Sequence, residues 1–117
     1  MKKVQPTPEN FNSAFLNVTL SAKTIDGKYA MWDLQQASKG NWVISEEAAP
    51  KVKYVYPVRK NKILGVFEVT GYEVLEIDGQ NRVRFELKAI YENSTRMIST
   101  AESHLNKTNY VVKFFEA

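Results

Sequence analysis

The sequence contains no cysteine and a single histidine, His104, in 117 residues. The absence of cysteine excludes disulfides, thiolate metal sites and a cysteine nucleophile, and it fits a cytoplasmic protein. No run approaches the ~20 consecutive apolar residues that a membrane helix requires. The two lysines near the N-terminus precede no apolar segment, so they do not form a secretory signal. We therefore expect no membrane contact.

Glycine and charge of one sign are also limited. The five glycines are isolated from one another, so no glycine-rich phosphate loop is present and nucleotide hydrolysis is not expected. The net charge of +3 permits contact with nucleic acid without requiring it. A chain of this length forms one domain with a real core. Two of the four prolines lie in residues 1–10, which predicts an extended N-terminal arm before a single β-rich domain over residues 11–117.

Alternation of apolar and polar residues predicts that this domain is mainly β. Residues 13–22 and 28–34 alternate on either side of Asp26-Gly27, a pair typical of tight turns, and predict a hairpin. The further predicted strands cover residues 52–58, 63–77, 82–91 and 110–115. In the strand over residues 82–91, the side chains expected to face the core are those of Val83, Phe85, Leu87, Ala89 and Tyr91.

Glycines indicate where these strands bend or turn. We expect the strand over residues 63–77 to bend at Gly65 or Gly71, because glycine inside a strand often marks a bulge or a corner. Asp78-Gly79 predicts the turn that follows. Short strands joined by tight turns indicate an antiparallel sheet curled into a small pseudo-barrel of six or seven strands.

One or two short helices are expected beside the strands. Ser45 is a suitable N-cap for a short helix that Pro50 ends. Residues 35–41 predict a loop or a single helical turn that finishes at Gly40. Residues 93–106 predict either a helix or a long loop, since only part of their apolar pattern has helical spacing.

The middle of the chain resembles a known family in its order of residue types. The relevant segments are Trp42-x-Ile44-Ser45-x-Glu47-Ala48, Tyr54-Val55-x-Pro57-Val58, Ile63-Leu64-Gly65-Val66-Phe67-Glu68-Val69 and Arg82-Val83-Arg84-Phe85-Glu86. Over about Trp42 to Leu87, this order is similar to that of the PUA-like superfamily, particularly its small EVE/ASCH domains. The resemblance implies a pseudo-barrel that binds RNA or DNA without catalysis, in some cases through a modified or flipped base held between aromatic rings.

A basic and aromatic segment, residues 51–62, is the strongest candidate for such binding. It carries five positive charges and no acidic residue, and exposed rings within it would offer flat faces for base stacking. The residues expected to contact phosphates are Lys51, Lys53, Arg59, Lys60, Lys62, Arg82 and Arg84. The rings expected to stack on a base or line a pocket are those of Trp42, Tyr54 and Tyr72. In the alternative interpretation the tyrosines fill the core and the lysines solvate a strand edge.

Catalytic patterns are weaker. Asp78 followed by Glu86 and Lys88 resembles the arrangement of a magnesium-dependent nuclease. However, an aspartate before a glycine is typical of a tight turn, so the turn accounts for Asp78 without a catalytic role. Ser103 and His104 are adjacent, so their side chains point in different directions and do not form a triad. We therefore predict no catalytic residue, no metal and no cofactor.

A protein-interaction module is the alternative function. The final predicted strand, residues 110–115, is strongly apolar. A strand of this kind at a sheet edge can pair with a protein partner or form a homodimer. The chain would then be a phage or host accessory or inhibitor protein that acts through a sheet edge or an apolar patch.

Overall fold

The computed structural model describes residues 7–20, 29–105 and 110–117. In these ranges the chain forms six β-strands, two α-helices and one short 3-10 helix. The elements are β1 (Ser13–Asn17), α1 (Met31–Lys39), the 3-10 helix (Ala49–Lys51), β2 (Tyr54–Arg59), β3 (Lys62–Ile63), β4 (Phe67–Ile77), β5 (Gln80–Ala89), α2 (Ser94–Glu102) and β6 (Val112–Phe115). The expectation of a mainly β fold with six or seven strands and one or two short helices is confirmed.

All six strands belong to one mixed sheet. Its order is β5-β4-β2-β1-β6, with β3 paired to β2. The pairing of β1 with β2 is parallel, so the prediction of a purely antiparallel sheet is wrong. Parallel neighbours need a long crossover connection, and here that connection includes α1. The sheet is not closed into a barrel, because β5 and β6 stand at opposite ends of the strand order.

The predicted hairpin near the N-terminus is also wrong. Residues 31–34 begin α1 instead of forming a strand, while residues 21–28, which include the expected turn, lie outside the described residues. Leu34 and Ser38 are the buried positions of α1, and their spacing of four is that of a helix face. Asp33 in the first turn and Lys39 in the last complement the helix dipole.

The short helix expected after Ser45 is present in a reduced form. The Ser45 hydroxyl accepts a hydrogen bond from the Ala48 N–H at 3.2 Å, as an N-cap does. The turn continues only into the 3-10 helix, which contains Pro50 near its start. Proline is tolerated there because the first amides of a helix have no intrahelical partner. The ambiguous segment over residues 93–106 contains the nine-residue helix α2.

The bends and turns of the predicted strands are confirmed. Residues 64–66 separate β3 from β4, and the register of β4 against β5 shifts between Val69 and Gly71. Asp78 and Gly79 have φ values of 52° and 78° and join β4 to β5 as a two-residue turn. Both central residues of such a turn need positive φ.

Apolar side chains cover both faces of the sheet's centre. The larger core packs β1, β2, β5 and β6 against α1 and the segment before β2, with Leu16, Val55 and Phe85 among its members. A smaller core on the other face lies under α2 and includes Phe15, Tyr56 and Phe115. The hairpin of β4 and β5 extends beyond β2, and Tyr72 and Val74 remain partly exposed there.

Candidate functional site

A cavity of about 390 Å³ opens between two parts of the sheet. On one side, residues 40–43 run along the outer edge of β5. On the other side are the end of β1 and the start of β6. The cavity is lined by Asn17, Thr19, Gly40, Asn41, Trp42, Val43, Arg82, Val111 and Val112. Two predicted site residues, Trp42 and Arg82, therefore lie at one cavity although they are far apart in the sequence.

Trp42 is held in place by three hydrogen bonds. Its N–H donates to the Val83 carbonyl at 2.8 Å, and the Val83 N–H donates back to the Trp42 carbonyl at 2.9 Å. Its indole Nε1 donates to the Ser38 carbonyl at 2.8 Å. Only 8% of the residue is exposed, so the ring is part of the core as well as of the cavity wall. Because its N–H is already used, the ring offers a ligand apolar surface and no hydrogen bond.

Arg82 is the only charged residue that lines this cavity in the described part of the chain. Its terminal nitrogens donate to the Asn41 carbonyl at 3.3 Å and to the Gln80 side chain at 3.0 Å. Its Nε is buried and has no hydrogen-bond partner among the described residues. A buried donor without a partner is costly, so a ligand acceptor placed there would relieve that cost.

Amide and hydroxyl groups supply further polarity at the same cavity. The Asn17 amide nitrogen donates to the Tyr110 carbonyl at 3.1 Å, which fixes the side chain. Thr19 and Asn41 are exposed at the rim. With Val43, Val111 and Val112 as apolar walls, the arrangement suits a ligand that has apolar faces and polar edges.

The structure does not bring the other predicted cations to this cavity. Lys51 and Lys53 precede β2, whereas Arg59, Lys60 and Lys62 lie at its far end. At about 3.3 Å per residue, Lys53 and Lys60 are separated by about 23 Å along the strand. The basic segment is therefore divided between two ends of the sheet.

Two of these cations lie over aromatic rings. The Lys51 ammonium is 5.7 Å from the centroid of the Phe11 ring, and the Arg59 guanidinium is 6.0 Å from that of Tyr29. Arg84 is exposed on β5 and is paired across the strands with Glu73. Opposite charges at such a position stabilise the hairpin, and the carboxylate reduces the local positive potential available to a phosphate.

The three predicted rings are also separated. Trp42 belongs to the larger core, whereas Tyr54 packs on the other face of the sheet beside the smaller core. Tyr72 is paired with Phe85 and is 40% exposed. An aromatic cage made of all three rings is therefore not formed.

In the described residues, neither the nuclease arrangement nor the pair of Ser103 and His104 has its side chains placed together for catalysis. Asp78 is in the turn before β5. At about 3.3 Å per residue, Glu86 and Lys88 lie about 20 Å and about 26 Å along β5 from its first residue, Gln80. Ser103 donates to the Thr100 carbonyl at 2.8 Å, and the His104 ring stacks on Phe115 at 5.1 Å between centroids.

No group of three or more histidine, aspartate or glutamate side chains in the described parts of the chain is placed to hold a metal ion. Within the same residues, no helix has the length and apolar character needed to cross a membrane. Both α-helices are nine residues long.

Sequence reasoning missed most of the cavity lining. Asn17, Thr19 and Asn41 are common polar residues, and nothing in their local pattern distinguishes them. Their position depends on the pairing of β1 with β6 and on the bridge between Trp42 and Val83, which join distant parts of the chain.

A second cavity, of about 400 Å³, lies on the face covered by α2. Tyr54 and Tyr56 line it, together with residues from the first turns of α2. Burial raises the pKa of Tyr56 above its ordinary value of 10.0, and the neighbouring Tyr54 raises it further. The neutral phenol is therefore the form that the folded protein favours.

This shift makes stability depend on alkaline pH. Because the folded-state pKa of Tyr56 is raised, its contribution to stability is fully present below pH 10 and is lost as the pH rises through the folded value. We expect Tyr56→Phe to reduce the loss of unfolding free energy between about pH 8 and about pH 11. Urea titrations would measure the unfolding free energy of wild type and of Tyr56→Phe at both pH values. Tyr91→Phe, which removes an exposed hydroxyl, is the control. Equal losses in wild type and Tyr56→Phe would contradict the prediction.

Comparisons with known proteins do not assign this chain to a family. No protein-family model matches the chain, and searches of curated proteins and of solved structures found no significant match. The features of this protein that bear on its function are therefore its cavities, its charges and its exposed surfaces.

Proposed function

We propose that this protein is a non-catalytic nucleic-acid-binding domain that receives an unpaired or flipped base of RNA or DNA in the cavity beside Trp42. The observation that carries the proposal is Arg82, which lines a cavity with apolar walls and whose buried Nε has no hydrogen-bond partner among the described residues. The resemblance to the PUA-like superfamily supports the same function, and under this proposal the open sheet corresponds to an incompletely closed pseudo-barrel.

The chemistry of the cavity fits a nucleobase. A base has apolar faces, which the Trp42 ring and the valine side chains can contact, and polar edges, which need directed hydrogen bonds. Arginine is well suited to the carbonyl and ring-nitrogen acceptors of a base edge. The volume of about 390 Å³ falls within the usual range of small-ligand sites, about 300–1,000 Å³. A stacked and paired base would not reach such a cavity, so the target is single-stranded or flipped out.

The dispersed cations have a different role in this proposal. Lys51 and Lys53 at one end of β2, and Lys60 and Lys62 at the other, are too far apart to hold one phosphate. They would raise the local concentration of nucleic acid through general attraction, which weakens with salt. Binding of an isolated nucleoside should therefore depend on Arg82 and little on salt, whereas oligonucleotide binding should depend on both.

We expect Arg82→Gln to weaken binding of single-stranded oligonucleotides by about tenfold, because a charge-assisted hydrogen bond in a buried site is lost. Arg84→Gln is the matched control: it removes the same charge two residues away, outside the cavity. Trp32→Phe provides the background for the measurement, since Trp32 is 69% exposed and its removal leaves Trp42 as the sole fluorescent tryptophan. The titrations would use nucleosides and labelled RNA and DNA at low and physiological salt.

The outcome separates the two candidate functions. Equal losses in Arg82→Gln and Arg84→Gln would show that only general charge matters and would overturn the cavity proposal. No binding at low salt would favour the alternative, a protein-interaction module. The observation that favours the alternative is the adjacent exposure of Met31 and Trp32, at 49% and 69%, on the first turn of α1.

A further inference from the structure

The outer half of β4 is an open edge of the sheet. Among the described residues, β2 pairs with β4 only at Phe67 and Glu68. Immediately after them, the Val69 N–H donates to the Lys53 carbonyl at 2.8 Å. Residues 71–77 then continue the strand with β5 as their only strand partner in the described part of the chain.

The free backbone groups of this edge belong to alternate residues. Val74 lies directly opposite Val83 of β5, and Val83 uses both its N–H and its C=O on Trp42, on the side away from β4. In an antiparallel ladder, two residues that lie directly opposite either bond to each other or both point away. Val74 therefore directs its N–H and C=O outward, away from β5. The period of two gives Tyr72 and Glu76 the same orientation.

The side chains along this edge are apolar on the face that borders the larger core. Tyr72 and Val74 are partly exposed, and they lie opposite the buried Phe85 and Val83. The apolar surface of the core therefore continues to the edge and meets water there. β4 contains no proline and no lysine, which commonly prevent an exposed edge from pairing.

The other strand edges in the described residues are shorter or covered. β6 has four residues, of which three are buried, and β3 has two. Along the outer edge of β5, Val83 is bonded to Trp42, and the Leu87 carbonyl accepts a hydrogen bond from the Gln35 side chain at 2.9 Å. The outer half of β4 is therefore the edge best suited to receive a further strand.

The charges of β4 suit an antiparallel copy of the same strand. In a pairing with Val74 on a two-fold axis, Val74 faces Val74 of the second copy. Tyr72 then faces Glu76 of that copy, and Glu73 faces Leu75. A pairing centred on Glu73 or Glu76 would instead place two carboxylates opposite each other, which is destabilising. A two-fold dimer requires a self-complementary surface, and this strand provides one in the register centred on Val74.

We propose that the protein forms a homodimer in which the outer edges of two β4 strands pair antiparallel about a two-fold axis at Val74. The two Val74 residues exchange backbone hydrogen bonds, and the apolar row of Val83 and Val74 continues across the axis. One strand from each copy makes a small interface, so the dimer is weak and reversible. The cavity beside Trp42 lies at the other edge of the hairpin, so the dimer stands or falls separately from the proposed function.

The test is sedimentation velocity from micromolar to millimolar protein, where we expect a reversible equilibrium between monomer and dimer. Val74→Lys would place two ammonium groups opposite each other at the axis and should raise the Kd of the dimer by about tenfold or more. Tyr72→Lys is the matched control. It adds the same charge to the same edge, but its ammonium would face Glu76, so the Kd should change by less than about threefold. Circular dichroism would verify that both variants are folded.

A cross-linking measurement tests the register independently. The chain contains no cysteine, so Val74→Cys introduces a single thiol that the axis brings opposite its counterpart. Air oxidation should convert this variant to a covalent dimer, whereas Lys88→Cys, at an exposed position of β5, should stay monomeric. The proposal would be overturned by wild-type protein that is monomeric at millimolar concentration, by equal effects of Val74→Lys and Tyr72→Lys, or by equal cross-linking of the two cysteine variants.

Discussion

Replacing Gly40 with alanine is expected to lower the free energy of unfolding by about 3 kcal/mol or more. Gly40 ends α1 with φ 56° and ψ −163°, a combination that is essentially confined to glycine and costs other residues about 1–3 kcal/mol. A Cβ at this position would also overlap Nε1 and Cε2 of the Trp42 indole. The backbone cost and the steric cost therefore add at one residue.

The indole cannot easily move away from such a clash. It would lose its hydrogen bond to the Ser38 carbonyl, and a shift of the backbone would break the paired hydrogen bonds between Trp42 and Val83. Since Gly40 and Trp42 both line the cavity proposed to bind a base, any relaxation that avoids unfolding would alter that cavity. Gly40→Ala should therefore reduce base binding even in the fraction of molecules that remain folded.

Gly79→Ala provides the matched control. Gly79 also has a positive φ, of 78°, but no atom lies within 4 Å of the position its Cβ would take. The expected cost is about 1 kcal/mol, from backbone conformation alone. Urea unfolding followed by circular dichroism would measure both variants. Equal destabilisation of the two would contradict the role given to the contact between Gly40 and Trp42.

Much of the fold was predictable where the pattern is local. The turn at Asp78-Gly79 follows from the positive φ that both residues adopt, the register shift of β4 falls next to Gly71, and β5 follows from a clean period of two. The N-cap contact of Ser45 was also predicted, although the helix it begins is shorter than expected. In each case, neighbours in the sequence determine the conformation.

The N-terminal half was not predictable in the same way. The apolar residues Ala30, Trp32 and Leu34 recur at every second position, as in a strand. Leu34 and Ser38 are four positions apart, as on one face of a helix. A segment of seven or eight residues is too short for its pattern to distinguish the strand period from the helix period. The parallel pairing of β1 with β2 depends on a crossover that no local pattern records. The direction of β2 likewise separates Lys53 from Lys60, so a basic segment in the sequence became two distant groups in the fold.

In the candidate site, too, some residues could be predicted from the sequence, whereas others depend on contacts between distant parts of the chain. Trp42 and Arg82 were predicted from residue type and resemblance, and the structure places them at one cavity. Asn17 and Val112 were not predicted, because they reach the cavity only through the pairing of β1 with β6.

Phe85 and Tyr91 offer the sharpest test of this distinction. Both were predicted to face the core, because both belong to one alternating pattern. The strand ends at Ala89, so the alternation no longer determines where Tyr91 points, and Tyr91 is 81% exposed whereas Phe85 is 1% exposed. The prediction for Tyr91 is therefore wrong, and its physical reason is that side-chain alternation holds only as far as the strand continues.

Phe85→Ala is expected to lower the free energy of unfolding by about 3–5 kcal/mol, since it removes a ring from the larger core and leaves a cavity next to β4. Tyr91→Ala should change it by no more than about 0.5 kcal/mol. Urea denaturation with comparison of m values would measure both and would show whether unfolding stays two-state. A loss for Tyr91→Ala near that for Phe85→Ala would mean that the exposed ring is covered in solution. A dependence of that loss on protein concentration would then identify a second copy of the chain as the cover, because association stabilises only the assembled folded state.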